Sequence, residues 1–333
     1  MMEQNLTTVK LRPLGQSSLS VSPLGLGCWQ FSRGKGLVGS YWSNLNEGDI
    51  LEIVRVSLEG GMNWVDTAEV YGGGKSEEAL AQVLDELRQE GSPQAAPLIA
   101  TKWWPLFRTA GSITSTIEER IGCLGGRTID LYQIHQPFSL STIAQEMKAM
   151  AGLVKAGKIR YVGVSNYSAK QMVAAHRLLQ QDGLTLVSNQ VKYNLLDRAI
   201  DRNGILEAAK EHGISIIAYS PLQQGLLTGR FHHDPAQIQA LTRSRRLMSG
   251  LNEKSLARSR PLIEALDALG RKYNATSGQI ALNWLIHYHG DTVVAIPGAS
   301  KVRHAEENIG AMTFQLTADE LEQLNEASWA AVK

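Results

Sequence analysis

The sequence predicts an α/β protein folded as a (β/α)8 TIM barrel, and three observations carry that expectation. Short β-rich runs alternate with amphipathic helical stretches almost to the end of the 333 residues, with no shift in composition that would separate a second domain. Successive strand-like runs end in titratable residues, as expected where a parallel sheet places its chemistry at the carboxyl ends of its strands. The first strand exit, Gly25-Leu26-Gly27-Cys28-Trp29-Gln30, lacks the third glycine of a dinucleotide fingerprint. A doubly wound sheet of this size usually carries that fingerprint, so the barrel is favoured.

The elements follow in order. Residues 9–11 and 19–22 flank Pro13-Leu14-Gly15, a hairpin signal, and such a hairpin can plug the bottom of a barrel. Strands are expected at 23–27, 63–66, 97–102, 129–135, 159–165, 186–190, 214–219 and 293–297, eight in all. Between them, residues 77–87 place Leu80, Val83, Leu84 and Leu87 on one helical face, and 143–155 do the same with Met147, Met150, Leu153 and Val154. Residues 171–180, 204–212 and 303–310 continue the alternation, and two further helical runs, 261–273 and 278–288, precede the last strand. The whole chain, 1–333, is expected to be one domain: hairpin about 9–22, barrel about 23–310 and a C-terminal helix about 317–329. The segment 231–260 is polar and strand-poor, carries Arg243, Arg245 and Arg246, and is expected to be a long loop, either a functional flap or a disordered excursion.

Composition sets aside several classes of function. A net charge of +1 offers no electrostatic footprint for nucleic acid or an anionic membrane. No uncharged apolar run approaches the ~20 residues of a membrane helix, and residues 1–10 lack the form of a secretory signal. A cytoplasmic protein is the expectation, and the two cysteines, Cys28 and Cys123, are read as reduced thiols. The pairs His232-His233 and His287/His289 lack further ligands at metal spacing, so no metal is expected. Gly72-Gly73-Gly74-Lys75-Ser76 resembles the end of a phosphate loop, but Glu69 stands where that motif needs glycine, so the run is read as a tight turn entering a helix.

The chemistry gathers at three strand ends. Asp66 and Tyr71 follow the strand at 63–66, Lys102 ends the strand at 97–102, and His135 ends the strand at 129–135. Taken singly, an Asp after a strand is often a turn cap and a Tyr an amphipathic rim residue. Together the four types solve one problem. A phenol titrates near 10, too high for easy proton donation at neutrality, and a nearby ammonium lowers that value. A buried lysine needs a counter-ion, which Asp66 supplies, and a neutral imidazole can orient a carbonyl oxygen. The set fits general-acid catalysis of carbonyl reduction. Other strand ends carry Ser165-Asn166, Gln190, Tyr219-Ser220-Pro221-Leu222 and Ile296-Pro297-Gly298, a rim that reads as ordinary loop chemistry or as groups suited to hydrogen-bonding a carboxamide and stacking on a flat heterocycle. Lys301 stands at the start of the last helix of the barrel, where backbone N–H groups favour an anion.

These motifs, arriving in order from about Leu11 to Trp329, resemble those of the aldo-keto reductase superfamily. Its Asp-Thr-Ala-x-x-Tyr-Gly block is similar to residues 66–72, its lysine strand ends at Lys102, and its Leu-x-x-x-His strand is 131–135. The Gly-Val-Ser-Asn block is 163–166, the Asn-Gln-x-x-Tyr-Asn block 189–194, the Tyr-Ser-Pro-Leu block 219–222, and the Ile-Pro-Gly-Ala…Glu-Asn block 296–308. The resemblance implies an NADP(H)-dependent reductase of aldehydes or ketones, with Tyr71 as acid, Lys102 and Asp66 as its pKa-setting pair and His135 as the orienting group. It implies that Ser165, Asn166 and Gln190 hold the carboxamide, that Tyr219 stacks on the nicotinamide, that Ser220, Leu222 and Gly225 follow the pyrophosphate, and that Pro221, Leu226 and Arg230 also bind the cofactor. Gly298, Ser300, Lys301, His304, Glu307 and Asn308 would hold the 2′-phosphate end, with Gly27 and Trp29 also beside the cofactor. Trp29, Trp103, Trp104 and Gln136 would line the substrate pocket, with Tyr41 and Trp42 on a preceding loop, although each of these aromatics reads equally as barrel packing. The chain departs from many members at Gly298, where lysine is common, at His304, where arginine is common, and at Gln136, where tryptophan is common.

Two other readings stay open on the sequence. The same fold serves as a cofactor-sensing, slow-turnover subunit of potassium channels, and a complete tetrad does not separate the two. A carbohydrate-active barrel would need a second acid at a strand end, and only Asp66 is so placed. The expected partner is a small-molecule carbonyl substrate, its identity and the oligomeric state being unspecified.

Overall fold

The computed structural model describes residues 9–32, 34, 45–239, 241 and 251–332. Tyr41, Trp42, Arg243, Arg245 and Arg246 lie outside the described residues. Two short strands, β1 (Arg12–Pro13) and β2 (Ser20–Val21), pair antiparallel as the N-terminal hairpin. Eight parallel strands follow: β3 (Leu26–Gly27), β4 (Trp64–Asp66), β5 (Leu98–Trp103), β6 (Ile129–Ile134), β7 (Ile159–Ser165), β8 (Leu186–Lys192), β9 (Ser215–Tyr219) and β10 (Val293–Ala295). Each pairs with its neighbour in sequence, and parallel bridges Leu24–Ala295 and Gly27–Gly298 join the last strand to the first. The sheet therefore closes into a (β/α)8 barrel, the last strand bridged to the first.

Alternation along the strands divides the core in two. On β5, Ile99 and Trp103 face the surrounding helices, whereas Leu98 and Ala100 face the barrel interior with Leu131, Val187, Ile217 and Val294. Leu14, Leu19 and Val21 of the hairpin pack into that interior against Trp64, closing the bottom of the barrel. Gly15 makes this approach possible. Its φ is +55°, and a Cβ there would stand 2.3 Å from the Val187 carbonyl oxygen.

The helical layer consists of α1 (Glu47–Glu59), α2 (Lys75–Gln89), α3 (Gly111–Ser115), α4 (Ile117–Cys123), α5 (Ile143–Lys155), α6 (Ala169–Gln180), α7 (Ile205–Glu211), α8 (Arg230–His233), α9 (Glu253–Tyr273), α10 (Ser277–His287), α11 (Val302–Gly310) and α12 (Ala318–Val332). Reciprocal capping boxes start α5, α6 and α10, through Thr142 with Gln145, Ser168 with Gln171, and Thr276 with Gln279. The C-terminal α12 docks through Trp284 Nε1, which donates to Leu321 O at 3.0 Å, and through Arg198, whose guanidinium lies 4.5 Å from the Trp329 ring centroid.

Two expectations are corrected. Within the segment 231–260, the described residues do not form one long loop, and residues 240 and 242–250 lie outside the described residues. The segment contains the end of α8, a 3-10 turn at Pro235–Ile238 and the first turns of α9, because Leu226, Phe231 and Leu256 bury one another in a small apolar cluster. Helix α9 begins eight residues before Pro261, at a capping box formed by Asn252 and Ser255. Pro261 sits inside the helix on its exposed face, where water can satisfy the carbonyl its missing N–H leaves free. Helix α1, unforeseen, covers the barrel through Ile50, Ile53, Val54 and Leu58.

Candidate active site

Strand β4 carries Asp66 into the barrel because its parity with Trp64 points both inward, and β5 does the same for Lys102 two residues after Ala100. The two side chains meet at the carboxyl ends of adjacent strands, where Lys102 Nζ donates to Asp66 Oδ1. Asp66 is 1% exposed and Lys102 fully buried. Two buried charges are tolerable only when paired and hydrogen-bonded, and here they are. Lys102 Nζ also donates to Thr67 O at 2.8 Å, and Asp66 Oδ2 accepts from Gln133 Nε2 at 3.1 Å and Gln190 Nε2 at 2.9 Å. Gln133, which sequence reasoning missed, was legible by parity: it is a polar residue at an inward position of β6, between Leu131 and His135.

Tyr71 and His135 lie over this pair. Lys102 Nζ stands 5.2 Å from the centroid of the Tyr71 ring, and the Tyr71 and His135 rings meet edge to face at 5.7 Å. The four expected residues are thus brought together. The expected effect on the phenol is not. Burial, followed by the charges of Asp66 and Cys28, holds the Tyr71 pKa well above its ordinary 10. The ammonium that was to lower it is already committed to Asp66. His135 is pushed well below 6.5, by burial first and by Lys102 second. At neutral pH the site therefore presents a protonated phenol and a neutral imidazole, a donor pair suited to a carbonyl oxygen.

Aromatic walls surround the two. Trp29 stacks on Tyr71 with ring centroids 6.2 Å apart, and Trp104 meets His135 edge-on at 5.2 Å. Gln136, half-buried, follows His135 at the same rim. Trp103 does not belong here. Its ring is fully buried on the helix side of β5, its Nε1 donates to Ser112 Oγ at 3.1 Å, and strand alternation makes it impossible for both Lys102 and Trp103 to face inward.

The neighbouring strand ends form a second group. Asn166, at φ +61°, donates from Nδ2 to Ser165 Oγ at 3.1 Å and accepts from the Tyr219 hydroxyl at 3.1 Å, which aligns the Tyr219 ring beside it. Gln190 directs its amide nitrogen to Asp66 Oδ2 and to Gln133 Oε1. After β9 the backbone is left-handed at Ser220, Gln223, Gln224 and Gly225. Such strain persists only where surroundings over-determine it. Here the buried Asn194 does so, donating to Ser220 O at 3.0 Å and Gln223 Oε1 at 3.1 Å. Arg230 lies against Gly225, where a Cβ would meet its guanidinium at 2.8 Å, and Pro221 is buried beneath the turn. Leu222 is half-buried, whereas the Leu226 side chain is buried against Phe231 and Leu256, so only its backbone remains available to a ligand.

Across the closing seam, Gly27 and Gly298 are bridged, and the Gln30 amide lies over Gly298 where a Cβ would meet it at 2.2 Å. Lys301 is the exposed N-cap residue of α11, with no side-chain cap on the helix. His304 folds back on Ser300, its Nδ1 3.3 Å from Ser300 Oγ, and Glu307 pairs with Arg303 at 3.4 Å. Asn308 is buried with Nδ2 lacking a hydrogen-bond partner among the described residues. A buried amide left open, an uncapped helix N-terminus and a left-handed turn are three features that fit an extended phosphate-bearing ligand laid from the seam to the Tyr71 mouth.

The family model described as Aldo/keto reductase family matches residues 23–328. The chain is 33% identical over 332 residues to the chloroplastic pyridoxal reductase of Arabidopsis thaliana, covering 96% of this chain and 85% of the plant protein. It is 35% identical over 312 residues to an uncharacterised oxidoreductase of Mycobacterium tuberculosis, covering 93% of this chain and 90% of that protein. Among solved structures, an aldo/keto reductase of Klebsiella pneumoniae in complex with NADP and acetate superposes with a TM-score of 0.71 at 25% identity, over 96% of this chain and 95% of that one. With the barrel, the buried Asp–Lys pair and the Tyr–His mouth already in place, the match across nearly the whole length shows that this chain belongs to the aldo/keto reductase family.

Proposed function

We propose that this oxidoreductase reduces aldehyde or ketone carbonyls to alcohols with NADPH, and that Tyr71 delivers the proton. The observation that carries the reading is the cluster of buried Asp66 and Lys102 with half-buried Tyr71 and His135 at one barrel mouth. When bound, the dinucleotide supplies the hydride. The chain's own residues do the rest. Tyr71 keeps its proton at neutral pH and holds it toward the carbonyl oxygen, while neutral His135 orients that oxygen. As negative charge develops on the oxygen and the proton leaves Tyr71, the Lys102 ammonium lies near the phenolate that forms. Asp66, with Gln133 and Gln190 on its second oxygen, keeps that ammonium in place.

Residues across the mouth suit the cofactor. Asn166, Ser165 and the Gln190 carbonyl oxygen suit the carboxamide, and Tyr219 suits the face of its ring. The turn from Ser220 to Gly225, with Arg230, suits the pyrophosphate. Ser300, Lys301 and the open N-terminus of α11 suit the 2′-phosphate, with Asn308 behind them. The neighbour solved with NADP supports this choice. Trp29, Trp104 and Gln136 remain as substrate walls. The test is NADPH absorbance against a panel of aldehydes that includes pyridoxal, run beside Tyr71→Phe. Turnover lost in the variant supports the reading. Tight NADPH binding without turnover on any carbonyl would replace it with a cofactor-sensing role.

A further inference from the structure

Between Asp66 and Tyr71 stands an acid that the proposed chemistry does not use. Glu69 is half-buried, and its backbone N–H donates to Lys102 O at 3.2 Å, so it is tied to the end of the lysine strand. Its carboxylate accepts from Trp104 N at 3.0 Å through Oε2 and from Arg108 Nη1 at 2.6 Å through Oε1. The same Arg108 nitrogen donates to Trp104 O at 3.2 Å. The ion pair thus grips both the N–H and the carbonyl of Trp104, the residue whose ring stands edge-on to His135 and, at 5.8 Å, edge-on to Phe138.

Arg108 is itself held rigidly. Its Nε donates to Ser112 Oγ at 3.0 Å and its Nη2 to Thr116 Oγ1 at 2.9 Å, while its guanidinium lies 5.4 Å from the Trp103 ring centroid. Its carbonyl accepts from Leu140 N at 2.8 Å, joining the loop after β5 to the loop after β6 that carries Phe138. Surface ion pairs contribute little to stability. This one bonds both backbone polar groups of Trp104 just after the strand ends, and the Trp104 ring borders the His135 imidazole.

We propose that Glu69 and Arg108 are positioning residues that set the Trp104 ring and thereby determine how the site receives flat, apolar carbonyl substrates. The inference rests on the reductase reading above. The charge-assisted pair acts through Trp104, so its loss changes the recognition of a ring-bearing carbonyl without touching the proton-donating group.

The experiment measures 4-nitrobenzaldehyde and propanal reduction by the wild-type protein, Glu69→Gln, Arg108→Leu and Trp104→Ala, with NADPH affinity titrated by fluorescence for each. Glu69→Gln is expected to raise KM for 4-nitrobenzaldehyde about three- to tenfold, the factor one aromatic contact commands. The propanal KM, kcat and NADPH affinity should stay within about twofold, a split that general loss of structure would not produce. Adding Glu69→Gln to Trp104→Ala should bring no further change in the 4-nitrobenzaldehyde KM. Equal losses on both aldehydes, or additive effects in the double variant, would overturn the proposal. Fluorine NMR of 5-fluorotryptophan-labelled protein, with Trp104 assigned by its loss in Trp104→Ala, separates the two readings. If the wild type reduces no carbonyl, the reductase reading fails, and an unshifted Trp104 signal in Glu69→Gln would sink the clamp as well.

Discussion

Asp66→Asn is the substitution whose consequences the structure specifies most fully. Three donors converge on the Asp66 carboxylate: Lys102 Nζ on one oxygen, and Gln133 Nε2 and Gln190 Nε2 on the other. Asparagine offers one oxygen and one NH2 group, so at least one donor would face another donor, and the Lys102 charge would lose its counter-ion. Breaking a buried pair in this way costs about 3–5 kcal/mol. An unfolding entropy of about 2.1 cal/mol/K per residue over 333 residues gives about 0.7 kcal/mol/K, hence a Tm lower by about 4–7 °C. Scanning calorimetry at neutral pH, with NADPH-linked turnover alongside, makes the measurement. Asp66→Asn/Lys102→Met removes the stranded charge and should recover part of the lost Tm while staying inactive. A single variant within 2 °C of wild type, or a double variant less stable than the single, would refute the reasoning.

Other outcomes follow from the same geometry. Tyr71→Phe should lower kcat by about 10²- to 10⁴-fold, the usual worth of a positioned general acid, with the NADPH dissociation constant nearly unchanged by fluorescence titration. Lys301→Ala should weaken NADPH about three- to tenfold and NADH hardly at all, because an exposed ammonium acts on the phosphate through a screened charge. Equal effects on both cofactors would remove Lys301 from that role. The unfolded chain protonates its histidines near 6.5, whereas folded His135 does so only at much lower pH. Its contribution to stability is therefore present above 6.5 and lost as pH falls below it, and urea titrations should show this slope reduced in His135→Phe. Gly15→Ala places a Cβ 2.3 Å from Val187 O at a positive φ, and should lower urea stability by more than about 1 kcal/mol.

What the sequence determined was the pattern imposed by period. Eight apolar strand runs and their amphipathic partners select the barrel, and parity within each run decides which residues face inward. Asp66, Lys102, Tyr71 and His135 were legible because each lies at or just beyond a strand end, and Gln133 would have been by the same rule. Trp103 reads equally as pocket wall and as barrel packing, and alternation beside the inward-facing Lys102 places it in the packing. Helix α9, expected from Pro261, begins at Glu253, where the Asn252 and Ser255 cap sets its start. Tertiary structure alone decided what depends on distance between remote segments. Lys102 pairs with Asp66 and so does not draw the Tyr71 pKa down, because charge and burial act through space and no local pattern encodes them. The grip of Glu69 and Arg108 on Trp104 likewise exists only once two loop backbones are brought within hydrogen-bonding reach.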